Sequence, residues 1–304
     1  MTRLPSPIYL PLEFDEPTHR ESSIPGSEKA SRNGTTRIDR RRRLVFGWYG
    51  GKFSHLTWLL PLLPDCHHYC EPFAGSAAVL LNRPPAPVET YNDIDGAVSN
   101  FFRMLRERPE QLIRAIGLTP FSREEYYLAV TESPAPVDEL ERARRFFVCA
   151  RQTRTGLAQT ASLGRWANCK GTSRAGMSGV VSRWLGSIED LPEVALRLLR
   201  VQIENRPALD VLRLYDSPGT LFYCDPPYPH ASRGDPKAYG FEMTDAEHKE
   251  LAESLRACRG KVAISGYRCD LMDSLYGDWN RNDAPERLCH SVKQMRQECL
   301  WMNY

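Results

Sequence analysis

The chain contains 304 residues, of which 41% are hydrophobic and 26% are charged, and its formal net charge is +2. This length predicts about two domains, or one domain with a large insertion, around a buried core. The composition excludes a fibrous repeat and a fully disordered chain. The most apolar stretch, 56–64, is far shorter than the ~20 residues of a membrane-spanning helix. No signal-peptide pattern opens the chain, so we expect no membrane partner and a cytoplasmic location.

The cysteines give little indication of chemistry. There are nine, an odd number, without the spacing of a disulfide framework. The run Cys66-His67-His68-Tyr69-Cys70 superficially resembles a metal cluster. It has no partner pair at zinc-finger distance, so we predict no metal site.

Positive charge is concentrated in one part of the chain. From Arg142 to Arg183 there are nine Lys or Arg residues and no Asp or Glu. Such a segment would complement a polyanion. The alternative is an ordinary solvated surface, but ordinary surfaces mix both signs of charge. We interpret the segment as a nucleic-acid contact.

The first 43 residues differ from the rest. They are rich in Pro, Ser, Arg and Glu and lack periodicity, which predicts a flexible basic N-terminal arm, 1–43. The arm ends in four arginines, Arg40 to Arg43. These arginines would either contact phosphates or keep the arm soluble, and the sequence leaves both interpretations open.

Two segments alternate strands and helices as a parallel sheet does. In the first, 44–118, we predict strands at 68–73 and 88–91 and helices at 77–81 and 96–106. In the second, 217–304, we predict strands at 220–224 and 261–265. A capping box, Thr244-Asp245-Ala246-Glu247, opens a helix that ends near residue 259.

The segment between them, 119–216, has a different pattern. Helical spacing at 122–130, 137–149 and 191–199 surrounds a Gly-, Ser- and Arg-rich stretch, 151–187. We therefore predict an inserted, mainly helical domain.

The tetrapeptide Asp225-Pro226-Pro227-Tyr228 follows a predicted strand, at the sheet edge where α/β proteins bind ligands. Its prolines fix the backbone and remove two N–H donors, so the Asp225 side chain and the Pro226 carbonyl remain as acceptors. Two acceptors match the hydrogens of an exocyclic amine and would aim its lone pair at an electrophile. Tyr228 would stack on a base. The alternative is an ordinary Pro-rich turn.

A second candidate site element follows the first strand. The turn Ala74-Gly75-Ser76-Ala77 is small enough for a ligand to approach its backbone. Asp93 lies 18 residues after Gly75, a spacing typical of an acidic residue that binds ribose hydroxyls. The third glycine of a dinucleotide fingerprint is missing, which argues against NAD.

Together these elements resemble the Dam-like (D12 class) DNA adenine-N6 methyltransferases, over residues 44–304. Phe46-Gly47-Trp48-Tyr49-Gly50-Gly51-Lys52 looks like the W-x-G-G-K motif of that family, and Glu71-Pro72-Phe73-Ala74-Gly75 like its E-P-F-x-G loop. Asp93-Ile94-Asp95 resembles its D-x-N segment. The ending from Glu298 to Tyr304 is also similar.

The resemblance implies an α/β fold: a Rossmann-like methyltransferase sheet with an inserted target-recognition domain at 119–216 and a catalytic domain at 44–118 and 217–304. It implies S-adenosylmethionine as methyl donor. The cofactor-binding residues carried over are Trp48, Lys52, Phe73, Gly75, Asp93 and Asp225. Asp93 would bind the ribose, and Trp48 would pack on the donor. Asp225 to Tyr228 would be catalytic.

For DNA contacts we select five basic residues of the insertion: Arg151, Arg154, Arg165, Lys170 and Arg174. Two departures from the family pattern matter. Ala77 stands in the cofactor loop where the family commonly has glycine, and we expect S-adenosylmethionine binding to survive this change. The segment 150–157 aligns with a family stretch that usually reads N-R-x-x-F-N-G-L, and only Arg151, Gly156 and Leu157 match it. The best-known target sequence of the family, GATC, is therefore not predicted for this chain.

The predicted reaction is methyl transfer from S-adenosylmethionine to N6 of a flipped-out adenine in double-stranded DNA. One alternative is methylation of RNA guanine N2 or DNA cytosine N4, since the same corner fits any exocyclic amine. Another is a catalytically silent DNA-binding protein. The large insertion and Asp225 argue against the first, and the intact tetrapeptide against the second. We expect a monomer; a cognate restriction nuclease is left open.

Overall fold

The computed structural model describes residues 42–131, 138–172, 176–232, 240–289 and 294–304, which belong to one compact unit. Most of the expected arm, including Arg40 and Arg41, lies outside the described residues. The last two arginines of the run contact protein side chains. Arg42 donates to the Thr57 hydroxyl at 2.6 Å, and Arg43 pairs with Glu193 at 3.0 Å.

Within the described residues, the strands form a seven-stranded sheet and a separate hairpin. The sheet strands are β1 (His68–Glu71), β2 (Val88–Asn92), β3 (Val201–Glu204), β4 (Thr220–Cys224), β5 (Lys261–Tyr267), β6 (Asn280–Asp283) and β9 (Glu298–Met302). The hairpin strands are β7 (Arg287–Cys289) and β8 (Gln294–Arg296).

Helices connect and cover the strands. The α-helices are α1 (Leu56–Leu59), α2 (Gly96–Glu107), α3 (Pro109–Gly117), α4 (Arg123–Val130), α5 (Glu139–Gln152), α6 (Gly179–Glu189), α7 (Leu191–Leu198), α8 (Ala208–Tyr215), α9 (Asp245–Ala257) and α10 (Asp270–Tyr276). Short 3₁₀ turns occur at Lys52–His55, Leu60–Leu62, Ala158–Thr160, Leu163–Arg165 and His230–Ser232. In the described part of the chain, no helix is both long and apolar enough to cross a membrane.

The order of strands in the sheet is β3-β2-β1-β4-β5-β9-β6. The first five are parallel to one another, whereas β9 runs antiparallel to both β5 and β6. The order reverses between β1 and β4, where the chain turns from one half of the sheet to the other. The crevice at the carboxyl ends of two such strands is the usual ligand site of an open α/β sheet.

The predicted α/β pattern is confirmed, but one boundary is wrong. The expected insertion, 119–216, contains β3 and α8, and β3 pairs with β2 in the main sheet. The sheet therefore resumes at residue 201 rather than 217. The strand was missed because its four residues, Val201–Glu204, alternate apolar and polar and are too few for a clear period.

The helix predicted over 77–81 is not formed. The chain from residue 75 to 82 makes consecutive turns instead. Gly75 and Ala77 both have positive φ angles, +48° and +55°, which interrupt a right-handed helix. For a non-glycine residue such as Ala77 this backbone conformation costs about 1 kcal/mol. The first strand is also shorter than predicted, because it ends at Glu71, before Pro72.

Other predicted helices form close to their expected positions because side chains cap them. Asp95 accepts from the backbone of Ala97 at the start of α2, and Ser122 and Asp138 do the same for α4 and α5. At α9 the predicted capping box is present in both directions between Thr244 and Glu247. Such caps satisfy backbone donors that have no partner inside the helix.

The insertion helices pack directly on the sheet domain. Phe101 of α2 stacks on Phe147 of α5 with ring centroids 5.5 Å apart, and Trp184 of α6 packs on Phe147 at 5.6 Å. Phe46 packs edge-to-face on Phe101 and on Phe146. One continuous apolar cluster thus joins the N-terminal segment, α2 and the insertion.

We predict that Phe147→Ala lowers the free energy of unfolding by about 3–5 kcal/mol, since it removes a buried ring and leaves a cavity between α2 and α5. Urea unfolding measures the change. Leu118→Ala is the control, because Leu118 is 74% exposed and its change should stay within about 0.5 kcal/mol. Equal midpoints for the two variants would show that α5 does not depend on this contact.

Candidate active site

A solvent-open cavity lies at the carboxyl ends of β1, β2 and β4. Its lining includes every residue that the sequence predicted to bind the cofactor: Trp48, Lys52, Phe73, Gly75, Asp93 and Asp225. These residues come from segments up to 177 positions apart in the chain, from Trp48 to Asp225. The tertiary structure therefore brings the predicted set together at the switch point of the sheet.

Side chains at and after the end of β2 hold the loop after β1 by hydrogen bonds to its backbone. The Asn92 side chain donates to the carbonyl oxygen of Pro72 at 2.8 Å, and the Tyr91 hydroxyl donates to that of Gly75 at 2.9 Å. Asp93 accepts from the backbone of Gly75 and of Asp95, both at 2.8 Å. These bonds fix the loop beside the cavity, which Ala74, Gly75 and Ser76 line.

Asp93 is buried beside the cavity, 9% exposed. Burial raises its pKa to about 6, although the hydrogen bonds from Asp95 and Gly75 act in the opposite direction. The carboxyl therefore ionises close to neutral pH. When ionised, it has lone pairs beyond those used by the two amides and is suited to accept from hydroxyl groups.

Lys52 and Asp225 form a buried ion pair on the floor of the cavity. The Lys52 ammonium lies 2.6 Å from Asp225 Oδ1 and 2.7 Å from Oδ2, and it also donates to the Gly50 carbonyl at 2.7 Å. The Lys52 side chain is only 3% exposed. Burial lowers its pKa, but attraction to Asp225 and Glu298 outweighs that effect and leaves the pKa above its ordinary value.

A second carboxylate, Glu298, completes this cluster and was not predicted as a site residue. It lies in β9, 3% exposed, with Oε1 3.4 Å from the Lys52 ammonium. Tyr228 donates a hydrogen bond to it. Burial raises the pKa of both Glu298 and Asp225, and Lys52 lowers both. The sequence feature that could have marked Glu298 was its charge at the start of an apolar strand near the end of the chain.

The tetrapeptide differs in detail from the expectation. Asp225 and Pro227 line the cavity, but Pro226 and Tyr228 are buried. Tyr228 is 3% exposed, its ring packs edge-to-face on Tyr267, and its hydroxyl also lies 3.1 Å from Asp225 Oδ1. These contacts join Tyr228 to Tyr267 of β5 and to Glu298 of β9, and its stacking on a base stays a prediction.

Two further polar residues of the cavity were also missed. Burial raises the pKa of Glu71, at the end of β1, to about 8, and Tyr69 donates to this side chain at 2.7 Å. Gln159 reaches the cavity from the insertion, and its buried amide oxygen has no hydrogen-bond partner in the described structure. Nothing in the Gly- and Ser-rich stretch around Gln159 marked it.

The basic residues selected for DNA contact fall into three groups. Arg154, Arg165 and Lys170 are exposed, and the Arg154 amide donates to the Arg165 carbonyl at 2.7 Å. Arg151 is half-buried at the end of α5, where burial lowers its pKa to about 10 and the Asp190 charge partly offsets this. Arg174 lies outside the described residues.

The profile of the D12 class N6 adenine-specific DNA methyltransferases matches residues 48–296, which is most of the chain and includes both sides of the cavity. The chain belongs to this family. Membership identifies the enzyme as an adenine-specific DNA methyltransferase. It supports the adenine-N6 interpretation over the RNA guanine and DNA cytosine alternatives.

Two relatives agree with this membership. The methyltransferase is 28% identical over 258 residues to the type II methyltransferase M1.LlaDCHI of Lactococcus lactis subsp. cremoris, covering 77% of this chain and 84% of that protein. It is 31% identical over 121 residues to the DNA N-6-adenine-methyltransferase of Escherichia phage P1. That second match covers 38% of this chain and 16% of the phage protein.

We predict that affinity for S-adenosylmethionine decreases as the pH falls through about 6, because protonation of Asp93 removes an acceptor from the cavity. Above that pH the carboxylate is ionised and binding is at its plateau. Quenching of Trp48 fluorescence by the ligand measures the dissociation constant between pH 5 and 8.

The control variants are Asp93→Asn, which should lose this pH dependence, and Asp210→Asn on exposed α8, which should keep it. An unchanged profile in Asp93→Asn would assign the dependence to another group.

Proposed function

We propose that this methyltransferase binds S-adenosylmethionine and the target adenine in the cavity described above, and that Asp225 receives the amine of the adenine. The observation that carries the proposal is the convergence of Trp48, Lys52, Asp93 and Asp225 on one cavity at the switch point of the sheet.

The described residues fit the methyl donor. A Cβ atom on Gly75 would lie 2.4 Å from the Trp48 indole nitrogen, so glycine is required for the loop and the indole to approach each other beside the cavity. Asp93 would accept from the ribose hydroxyls, and the unpaired amide oxygen of Gln159 would accept a further donor group. When bound, the donor supplies an electrophilic methyl group.

The chain itself contributes orientation and electrostatics. The Asp225 carboxylate and the Pro226 carbonyl would hold the two hydrogens of the adenine amine and direct its lone pair towards the methyl group. The rigid Pro226-Pro227 backbone keeps these acceptors in place. This is catalysis by positioning, in which a preorganised acceptor stabilises the charge that develops on nitrogen. The adenine would leave the duplex to reach this depth.

We predict that Asp225→Ala lowers methylation by at least about 100-fold, the usual effect of removing one preorganised electrostatic contact, and that DNA binding persists. Single-molecule sequencing of DNA from a methylation-free host expressing the chain measures N6-methyladenine. It also gives the recognition sequence.

The control is Asp210→Ala, which removes an exposed carboxylate from α8 and should methylate normally. Near-normal methylation by Asp225→Ala would contradict the proposed role of this residue.

The insertion would bind the DNA. Its acid-free stretch carries Arg154, Arg165 and Lys170 on the surface, and Gln159 of the same stretch reaches the cavity. We therefore propose the insertion helices and this stretch as the target-recognition region, with these cations as phosphate or base contacts. Arg151, half-buried near Asp190, would position the stretch. We also propose that the methyltransferase is a monomer. Whether a cognate restriction nuclease accompanies it stays open.

We predict that Arg154→Ala with Arg165→Ala makes DNA binding less dependent on salt. Each phosphate contact contributes about −0.9 to the slope of log affinity against log salt, so the slope should become less steep by about 2. Fluorescence anisotropy with a labelled duplex measures it.

Arg213→Ala with Arg259→Ala removes two exposed cations outside the insertion and should keep the slope of the unaltered protein. Equal slopes for the two double variants would place the phosphate contacts elsewhere.

A further inference from the structure

We propose that Glu298 is a positioning residue that receives the Lys52 ammonium when the adenine amine binds Asp225. The inference rests on the proposed function and adds a residue to it. It follows from the way in which Lys52 is held.

The Lys52 ammonium occupies the acceptor that the reaction needs. It lies 2.6 and 2.7 Å from the two oxygens of Asp225, so it already occupies lone pairs on both. The third acceptor around it, the Gly50 carbonyl, is 2.7 Å away, and the Tyr228 hydroxyl lies against Asp225 Oδ1. An incoming amine therefore has to share or replace the lysine on at least one oxygen of Asp225.

Glu298 offers the ammonium a second carboxylate at short range. Its Oε1 is 3.4 Å from the Lys52 nitrogen, whereas a charge-assisted hydrogen bond is about 2.8 Å long. A shift of roughly half an ångström would convert this ion pair into a hydrogen bond. The Gly50 carbonyl and the Tyr228 ring, 5.1 Å from the ammonium, lie beside Lys52 throughout so short a path.

Charge balance favours such an exchange over expulsion of the lysine. The ammonium is buried with two carboxylates, and leaving one buried charge without a partner is strongly destabilising. If the amine takes Asp225 and the ammonium takes Glu298, every buried charge keeps a partner. Without the Glu298 charge, Lys52 would have only Asp225 and would compete with the amine for it.

The test is Glu298→Gln, compared on two duplexes that differ only in the target base. One carries adenine, and the other carries purine, which lacks the 6-amine and therefore does not compete for Asp225. Glutamine keeps the size of the side chain and an oxygen that accepts from Tyr228, but it has no charge to attract the ammonium. The recognition sequence comes from the methylation mapping described above.

For Glu298→Gln we expect the single-turnover rate at saturating S-adenosylmethionine to fall by about tenfold or more, a loss comparable to one charge-assisted hydrogen bond. Affinity for the adenine duplex should fall, whereas affinity for the purine duplex and for S-adenosylmethionine should stay within about twofold. Glu298→Asp retains the charge and should restore the preference between the duplexes towards that of the unaltered protein.

The outcomes separate this inference from the proposed function. If the unaltered protein methylates DNA and Glu298→Gln does so equally fast, Glu298 has no such role. If the variant loses affinity for both duplexes equally, or loses S-adenosylmethionine binding in both Glu298 variants, Glu298 is structural and the inference is overturned. If the unaltered protein methylates no adenine, the proposed function fails whatever the variants do.

Discussion

The buried ion pair between Lys52 and Asp225 is the interaction on which the active site depends. It joins a residue near the start of the described chain to the end of β4, and Glu298 adds the last strand of the sheet. Each of these charges is buried to a degree that would be costly alone, and together they compensate one another. The same arrangement fixes the N-terminal segment, the tetrapeptide and β9 around one point, which is where we propose that the amine binds.

The sheet topology explains why this point is also a binding site. The strand order reverses between β1 and β4, so the loops after these strands diverge and leave a crevice. Hydrogen bonds from Tyr91, Asn92 and Asp93 hold the loop after β1 on one side. The tetrapeptide after β4 forms the other side. The cavity thus lies between these two segments.

The insertion is coupled to this site by packing rather than by a flexible linker. Phe46, Phe101, Phe146 and Phe147 form one aromatic group between the N-terminal segment, α2 and α5. Gly47 pairs through its backbone with Leu157 of the basic stretch. The basic stretch therefore contacts the segment that contributes Trp48 and Lys52 to the cavity.

The sequence by itself determined the elements with strong local signals: capped helices α2, α4, α5 and α9, apolar strands β4 and β5, and the motifs that contribute Trp48, Lys52, Asp93 and Asp225. Local chemistry, meaning caps, proline geometry and the spacing of apolar residues, is enough for these. It did not show β3, the turns in place of a helix after Gly75, or Glu298. Their conformation and role depend on partners far away in the chain: β2 for β3, the end of β2 for the loop, and Lys52 and Tyr228 for Glu298. Only the tertiary structure brings such partners together, and it also decided that the Tyr228 ring packs edge-to-face on Tyr267.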